Sequence, residues 1–405
     1  MSVEATTRQS PAPAPRPPRY PATYWALVIG FGVSRIGAVL VPYLTLYLVT
    51  QLHLSTTEAG QVLAAFGTGW ILGQPLAGTA ADRLGRKTTI VASLGLTAAA
   101  YTLLTQATTV PQLLALAAAI GLVFDGSRTA ITAWIADLVP EADRSRGYGL
   151  QYWMLNAGGA LSGVLGGYLA SSHLTALCMV DALTCVGFAL VVTLLPGGTS
   201  PNRPTADPIR HRDVLGDRRL LTVTVLSLIT LTVYQQMMYG LPLTIRANGL
   251  SPAVYGAVNV TNAIAVLALQ PPLQPVMDRL NPLKSCAIGS LAIGAGMGAN
   301  ALTHTALGFA AAAVLWTIGE ITFCVGASTY VASLAPDQAR GRYLGIWGIA
   351  FGGSAVLAPL LGAAALAHGP NWLWGSSAAI AATCAAAFAA QAMRPEHRRT
   401  EATDL

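Results

Sequence analysis

The chain is short of charge. Asp, Glu, Lys and Arg make up only 10% of its 405 residues, where a soluble domain carries roughly a quarter. A water-soluble globular protein is excluded. Apolar residues before Tyr24 are too few for the core of a secretory leader, and the Pro-, Ala- and Arg-rich start reads as a disordered tail. Cysteine is scarce: Cys178, Cys185, Cys286, Cys324 and Cys384 lie inside apolar stretches without metal-ligand spacing, and read as small core residues. No metal or other cofactor is expected. The polar segments contain no metal cluster, nucleophile–base set or phosphate loop, which argues against an enzyme. No His lies midway along an apolar stretch, so a His proton relay is not expected. The net charge of +6 does not indicate nucleic-acid binding, because its distribution along the chain has another explanation.

What the chain has in abundance is long apolar runs. It is 53% hydrophobic, with a mean hydropathy of +0.54. A membrane-spanning helix needs about 20 apolar residues, and the runs predict twelve spans. These lie near residues 24–49, 58–80, 88–108, 111–138, 147–171 and 174–195, then near 219–247, 252–277, 284–303, 305–334, 342–367 and 371–393. The expected organisation is a tail over 1–23, a six-helix bundle over 24–195, a Pro/Gly/Arg-rich linker over 196–218, a second bundle over 219–393 and a tail over 394–405. Of the 23 Lys and Arg residues, all but Arg35, Arg128 and Arg246 fall in the tails, the linker and the loops on one side of this arrangement. By the positive-inside rule that side is cytoplasmic, with both termini there. His53, His173, His304 and His368 mark the other side.

The two halves repeat. Asp82-Arg83-Leu84 recurs as Asp278-Arg279-Leu280, and Pro140, Arg144 and Arg146 recur as Pro336, Arg340 and Arg342, both at an offset of 196 residues. One offset aligning two separate loops indicates a six-span duplication. The most distinctive stretch is Gly78–Lys87, GTAADRLGRK, between spans 2 and 3. Such a charged cluster cannot lie in hydrocarbon, and Gly85 can take the positive φ of a tight turn. It resembles the signature of the major facilitator superfamily, G-x-x-x-D-R-x-G-R-K. The resemblance implies an all-α membrane protein of twelve transmembrane helices in two pseudo-symmetric six-helix bundles. In that arrangement spans 1, 4, 7 and 10 line a central cavity. It also implies a conformational gate of Gly78, Asp82, Arg83, Gly85, Arg86 and Lys87. In it, Asp82 caps span 11 near Gly341–Tyr343 and locks the outward-open state. Asp137, at the cytoplasmic end of span 4, can pair with Arg83 or Arg86.

Ionisable groups at mid-depth are costly and are functional candidates by default. Arg35 in span 1, Asp125 and Arg128 in span 4, and Glu320 in span 10 qualify. Asp125 and Arg128 share a helix face and form either a structural ion pair or a charged wall. Glu320 is either a proton-coupling carboxylate, with Asp125 as the second, or a partner for Arg35 or Arg128 across the cavity. Asp181 in span 6, nearer the outer face, reads as structural or snorkelled, with proton access as the alternative. Substrate-cavity candidates are Asn156, Gln235, Tyr239, Asn259, Asn262, Trp316 and Phe323, a mixture of aromatic and polar groups suited to an amphipathic ligand.

In span 5 the hexapeptide Ser162–Gly167 resembles the antiporter motif of the drug/proton branch, G-P-x-x-G-G, with the terminal Gly166-Gly167 but without the Gly-Pro; close helix packing explains the glycines equally. The expected function is proton-coupled efflux of small amphipathic molecules by alternating access. The alternatives are import or facilitated passage of a small polar or anionic metabolite, and a non-transporting sensor. Partners would be the substrate, protons and the bilayer of a cell inner membrane, with no nucleic acid, and the protein would act as a monomer.

Overall fold

The computed structural model describes residues 20–140, 143–172, 174–197, 216–335 and 340–393. The C-terminal tail and most of the N-terminal tail and of the linker lie outside the described residues. So do His173, Pro336 and the side chains of Asp82, Arg144, Arg146, Arg340 and Arg342.

Among the described residues twelve helical rods follow one another. In the first half they are α1 Ala22–Gln51, α2 Thr56–Arg83, α3 Arg86–Leu104, α4 Val110–Leu138, α5 Arg144–Ser172 and α6 Leu174–Leu194. In the second they are α7 Arg218–Ala247, α8 Pro252–Met277, α9 Pro282–Ala299, α10 Ala306–Leu334, α11 Arg340–Leu366 and α12 Pro370–Ala392. Nine of the described rods are long and apolar enough to cross a membrane. The other three, α2, α5 and α9, are of similar build but less apolar; α2 and α5 carry charged ends and form the seams between the bundles.

Each rod in the second half begins 196 residues after its counterpart in the first: Ala22 and Arg218, Thr56 and Pro252, Arg86 and Pro282, Val110 and Ala306, Arg144 and Arg340, Leu174 and Pro370. The start signals explain the regularity. Ser55 and Glu58 form a capping box on α2, and Ser251 stands before α8. Thr109 caps α4, and Thr305 caps α10. The side-chain oxygens of Ser55 and Thr305 accept from backbone N–H groups that a helix start leaves without partners; Ser251 holds the same position without such a bond. Gly85 takes φ 90° to turn α2 into α3, a conformation that costs glycine little; at the equivalent position Asn281 caps α9.

Two seams join the bundles, α2 against α11 and α5 against α8. Both are built on close backbone approach. A Cβ at Gly67 would sit 2.7 Å from Ala355 C, and one at Gly256 would sit 2.6 Å from Gly163 O. The seams close from the end bearing the α1–α2 and α7–α8 turns to about mid-depth. At that end Thr45 Oγ1 donates to Met238 O at 3.0 Å, Tyr239 OH donates to Thr56 O at 2.5 Å, and the Tyr43 and Tyr255 rings meet edge to face at 5.1 Å. At the other end, where the basic α2–α3 turn lies, Gly78 and Gly345 have open space where a Cβ would stand. The gap between the bundles therefore opens toward the basic end.

Candidate functional site

Asp125 sits where α4 is interrupted, between Val110–Phe124 and Gly126–Leu138, with φ −103° and ψ 4°. Its carboxylate is a point of convergence. Arg128 donates from Nε to Oδ1 at 3.0 Å and from Nη2 to Oδ2 at 2.7 Å. From α2, Trp70 Nε1 and Gln74 Nε2 donate to Oδ2 at 3.1 and 3.2 Å. Bidentate guanidinium–carboxylate pairing is directional as well as strong, so Asp125 fixes the Arg128 head group while tying α2 to α4. Asp125 is 7% exposed, yet the Arg128 side chain is 42% exposed at the same depth. A cation accessible midway along a helix faces the gap between the bundles.

Glu320 of α10 is half-buried on the opposite bundle. Asn262 Nδ2 of α8 donates to its Oε2 at 2.9 Å and also to Thr317 Oγ1 at 2.9 Å. Tyr234 of α7 is a further hydrogen-bonding neighbour. All these partners are neutral. Among the described residues Glu320 makes no ion pair with Arg35 or Arg128; the second bundle holds this carboxylate by itself.

Several residues expected at the cavity lie elsewhere. Arg35 points into the interior of the first bundle, beside Tyr101 and Asp181, with its guanidinium 4.8 Å above the Phe31 ring and 5.7 Å from that of Phe124. The four cavity charges of the sequence reading are thus three. Trp316 and Phe323 are fully buried. Trp316 packs on Tyr234 and against Gly296 of α9, and Phe323 packs on Phe388 of α12 and against Gly289. On a helix of 3.6 residues per turn they stand about 40–60° around from Glu320, and α10 is rotated so that this arc faces the core. Tyr239 is fully buried in the closed end, bonded to Thr56 O. Asn259 lies half-buried on the α5–α8 seam beside Gly163. Asn156 and Gln235 are half-buried. Asp181 is 2% exposed and not snorkelled.

Trp70, Gln74, Thr317 and Tyr234 escaped the sequence reading. The signal for two of them was present: Trp70 and Gln74 are four apart in an otherwise apolar span, hence on one helix face.

At the basic turn Arg83 is exposed, while Arg86 is 3% exposed and its Nε donates to Asp137 Oδ2 at 3.3 Å. Lys87 Nζ donates to Leu195 O at 2.8 Å. The turn is thereby fastened to the ends of α4 and α6. The expected contact of Asp82 with α11 falls outside the described side chains.

The sequence profile described as Major Facilitator Superfamily matches residues 26–247 and 237–405. A relative in Bacillus subtilis (strain 168), the uncharacterized MFS-type transporter YqjV, is 26% identical over 348 residues, covering 84% of this chain and 85% of its own length. Multidrug resistance protein MdtH of Cronobacter sakazakii is 29% identical over 298 residues, covering 68% of this chain and 70% of its own. Among solved structures, the nucleoside transporter NupG superposes with a TM-score of 0.80 at 13% identity, over 91% of this chain and 99% of that one. The POT family transporter PepTSo also gives 0.80, at 15% identity, over 93% and 98%.

Proposed function

This chain belongs to the major facilitator superfamily, and from that membership we propose that it is a proton-coupled exporter of small amphipathic molecules. As a multi-pass transporter it acts on a small-molecule substrate; the direction, the coupling ion and the substrate class are the proposal. The single observation behind it is Glu320, a mid-depth carboxylate held only by neutral groups, Asn262 and Tyr234, on the bundle opposite the partly exposed Arg128. A carboxylate in that setting can change charge without breaking an ion pair of its own. A proton entering from outside neutralises Glu320, changes its bonding to Asn262 and Tyr234 and shifts the relative stability of the two states of the transporter. The name of MdtH supports the choice of drug-like substrates.

The basic end is assigned to the cytoplasm of a cell inner membrane, on the distribution of Lys and Arg, with both termini there and a monomer as the working unit. The seams then describe a state open to the cytoplasm. Opening outward requires release of the Tyr239–Thr56 and Thr45–Met238 bonds, with the α2–α3 turn closing on α11 at the opposite end. Asp125 contributes by orienting Arg128; as the second proton site, it would have to lose that pairing.

The test is substrate-dependent proton movement in proteoliposomes under an imposed pH gradient, with lipophilic cations, neutral drugs and organic anions as probes. Export predicts flux opposite to the proton gradient, and Glu320→Gln abolishes the coupling. Flux of an organic anion in the same direction as protons would replace export by import. The exposed cation Arg128 is the observation favouring that second reading.

A further inference from the structure

The first bundle contains a second polar centre, away from the gap. Asp181 of α6 is buried, and among the described residues it has no Lys or Arg within ion-pair distance. Its Oδ2 accepts one hydrogen bond, from the backbone N–H of Leu40 at 3.2 Å. That donor is significant because α1 is interrupted at Ala38–Val39 and Leu40 begins its second segment. The carbonyl of Ala38 is bonded in turn by Ser162 Oγ of α5 at 2.9 Å.

Beside the carboxylate is a chamber of about 20 Å³, lined by Ser34, Thr97, Tyr101 and Ser127 among others. It has room for one water. Arg35 borders the same chamber, and its Nε is buried with no acceptor. Its charge acts on Asp181 on one side and on Asp125 on the other. The other titratable groups facing Asp181 are Tyr101 of α3 and Cys178 and Cys185 of α6.

The repeat supplies a control. At the offset of 196 residues, Arg35, Tyr101 and Asp181 correspond to Leu231, Met297 and Ser377, all buried. There α7 is interrupted at the equivalent depth, over Gln235–Met237, without an ionisable group at those positions. The interruption of the first helix thus does not itself require a carboxylate and a guanidinium. A buried carboxylate carries a large desolvation cost, and in the first bundle it is retained.

We propose that Asp181 is a second proton-binding site, and that its proton state directs Arg35 either toward α6 or toward Asp125 at the cavity wall. On loading, a hydronium ion in the chamber forms an O–H bond to the carboxylate and leaves as water; on release the bond breaks and the proton returns to that water. With Asp181 neutral, Arg35 stays stacked between Phe31 and Phe124 on the Asp125 side. With Asp181 charged, the guanidinium swings to it and gives Nε the acceptor it lacks. That movement carries the charge state of the α1 interruption to the Asp125–Arg128 pair. The site goes beyond the export reading and is independent of substrate and direction.

The experiment is an infrared pH titration of the full chain in liposomes without substrate, in a Glu320→Gln background. The band read is the C=O stretch of protonated carboxyl groups. Adding Asp181→Asn is expected to remove a component that grows on acidification. If the band is unchanged at every pH, or if the component lost does not titrate, the proposal is overturned. Should Asp181→Asn fail to fold, Arg35→Gln in the same background is decisive: it is expected to move the pH at which the component appears, and an unmoved titration overturns the link between the two residues. Failure of the export reading would show in flux measurements and leave this spectrum as it is.

Discussion

Four hydrogen bonds end on Asp125, whereas Glu320 is held by neutral donors alone. The two carboxylates therefore respond differently to loss of charge. Asp125→Ala leaves the donors of Trp70, Gln74 and Arg128 without their acceptor, and buried donors without partners cost about 1–3 kcal/mol. Its expected signature is a lower unfolding midpoint in detergent, with transport reduced in proportion to the folded fraction and to the misplacement of Arg128. Glu320→Gln keeps an acceptor for Asn262, so its stability should stay within about 1 kcal/mol of the parent while proton coupling is lost; an equal loss of stability in both variants would contradict this division. These charged residues were legible in the sequence because ionisable groups are rare in apolar spans. Trp316, Phe323 and Tyr239 were misread for a physical reason. A sequence shows which residues share a helix face, but not how the helix is rotated against its neighbours, and α10 turns its aromatic arc into the core.

Three rods are interrupted: α1 at Ala38–Val39, α4 at Asp125 and α7 over Gln235–Met237. Pro42 stands four residues after Ala38 and Pro242 four after Met238, and a proline withholds the N–H that the carbonyl four residues earlier would accept, so the breaks in α1 and α7 were legible and went unread; the break at Asp125 has no such proline and could not be placed from the sequence. The starts of the rods could, since caps such as Ser55 and Ser251 or Thr109 and Thr305 recur with the offset of the repeat. The α2–α3 turn was legible for the same kind of reason, its glycine sitting where the chain reverses. Gly85→Ala would force a side chain into φ 90°, at a cost of about 1–3 kcal/mol. The expected result is a lower unfolding midpoint, accompanied by loosened attachment of Arg86 to Asp137 and of Lys87 to Leu195. Thermal unfolding of Gly85→Ala beside a Gly78→Ala control, whose Cβ meets nothing within 4 Å, separates backbone strain from a general loss of glycine.

On the scale of the whole molecule the succession of long helices and its duplication were readable because hydrophobic length and charge asymmetry are properties of long segments. Which end is closed was not, because that depends on contacts between helices far apart in the chain. A Cβ on Gly60 would lie 2.9 Å from Pro359 O and 3.2 Å from Ala363 Cβ, so a side chain at this position has to push the closed seam apart. Gly60→Ala is therefore expected to raise the outward-open population, measurable as faster alkylation of a cysteine placed by Ala363→Cys; an unchanged rate would mean that this end is not closed at rest. Tyr239→Phe removes one cross-bundle hydrogen bond and should raise the same population, measurable as faster alkylation of the Ala363→Cys position. The closed end is fastened by hydroxyls, carbonyls, aromatic rings and backbone contact, with no ion pair across the bundles among the described residues there. Mobile ions weaken attraction between charges over about 10 Å at 0.1 M but have little hold on fastenings of this kind. The balance between the two states should accordingly be nearly indifferent to ionic strength at the closed end, and any salt dependence that transport does show would originate at the opposite, basic mouth.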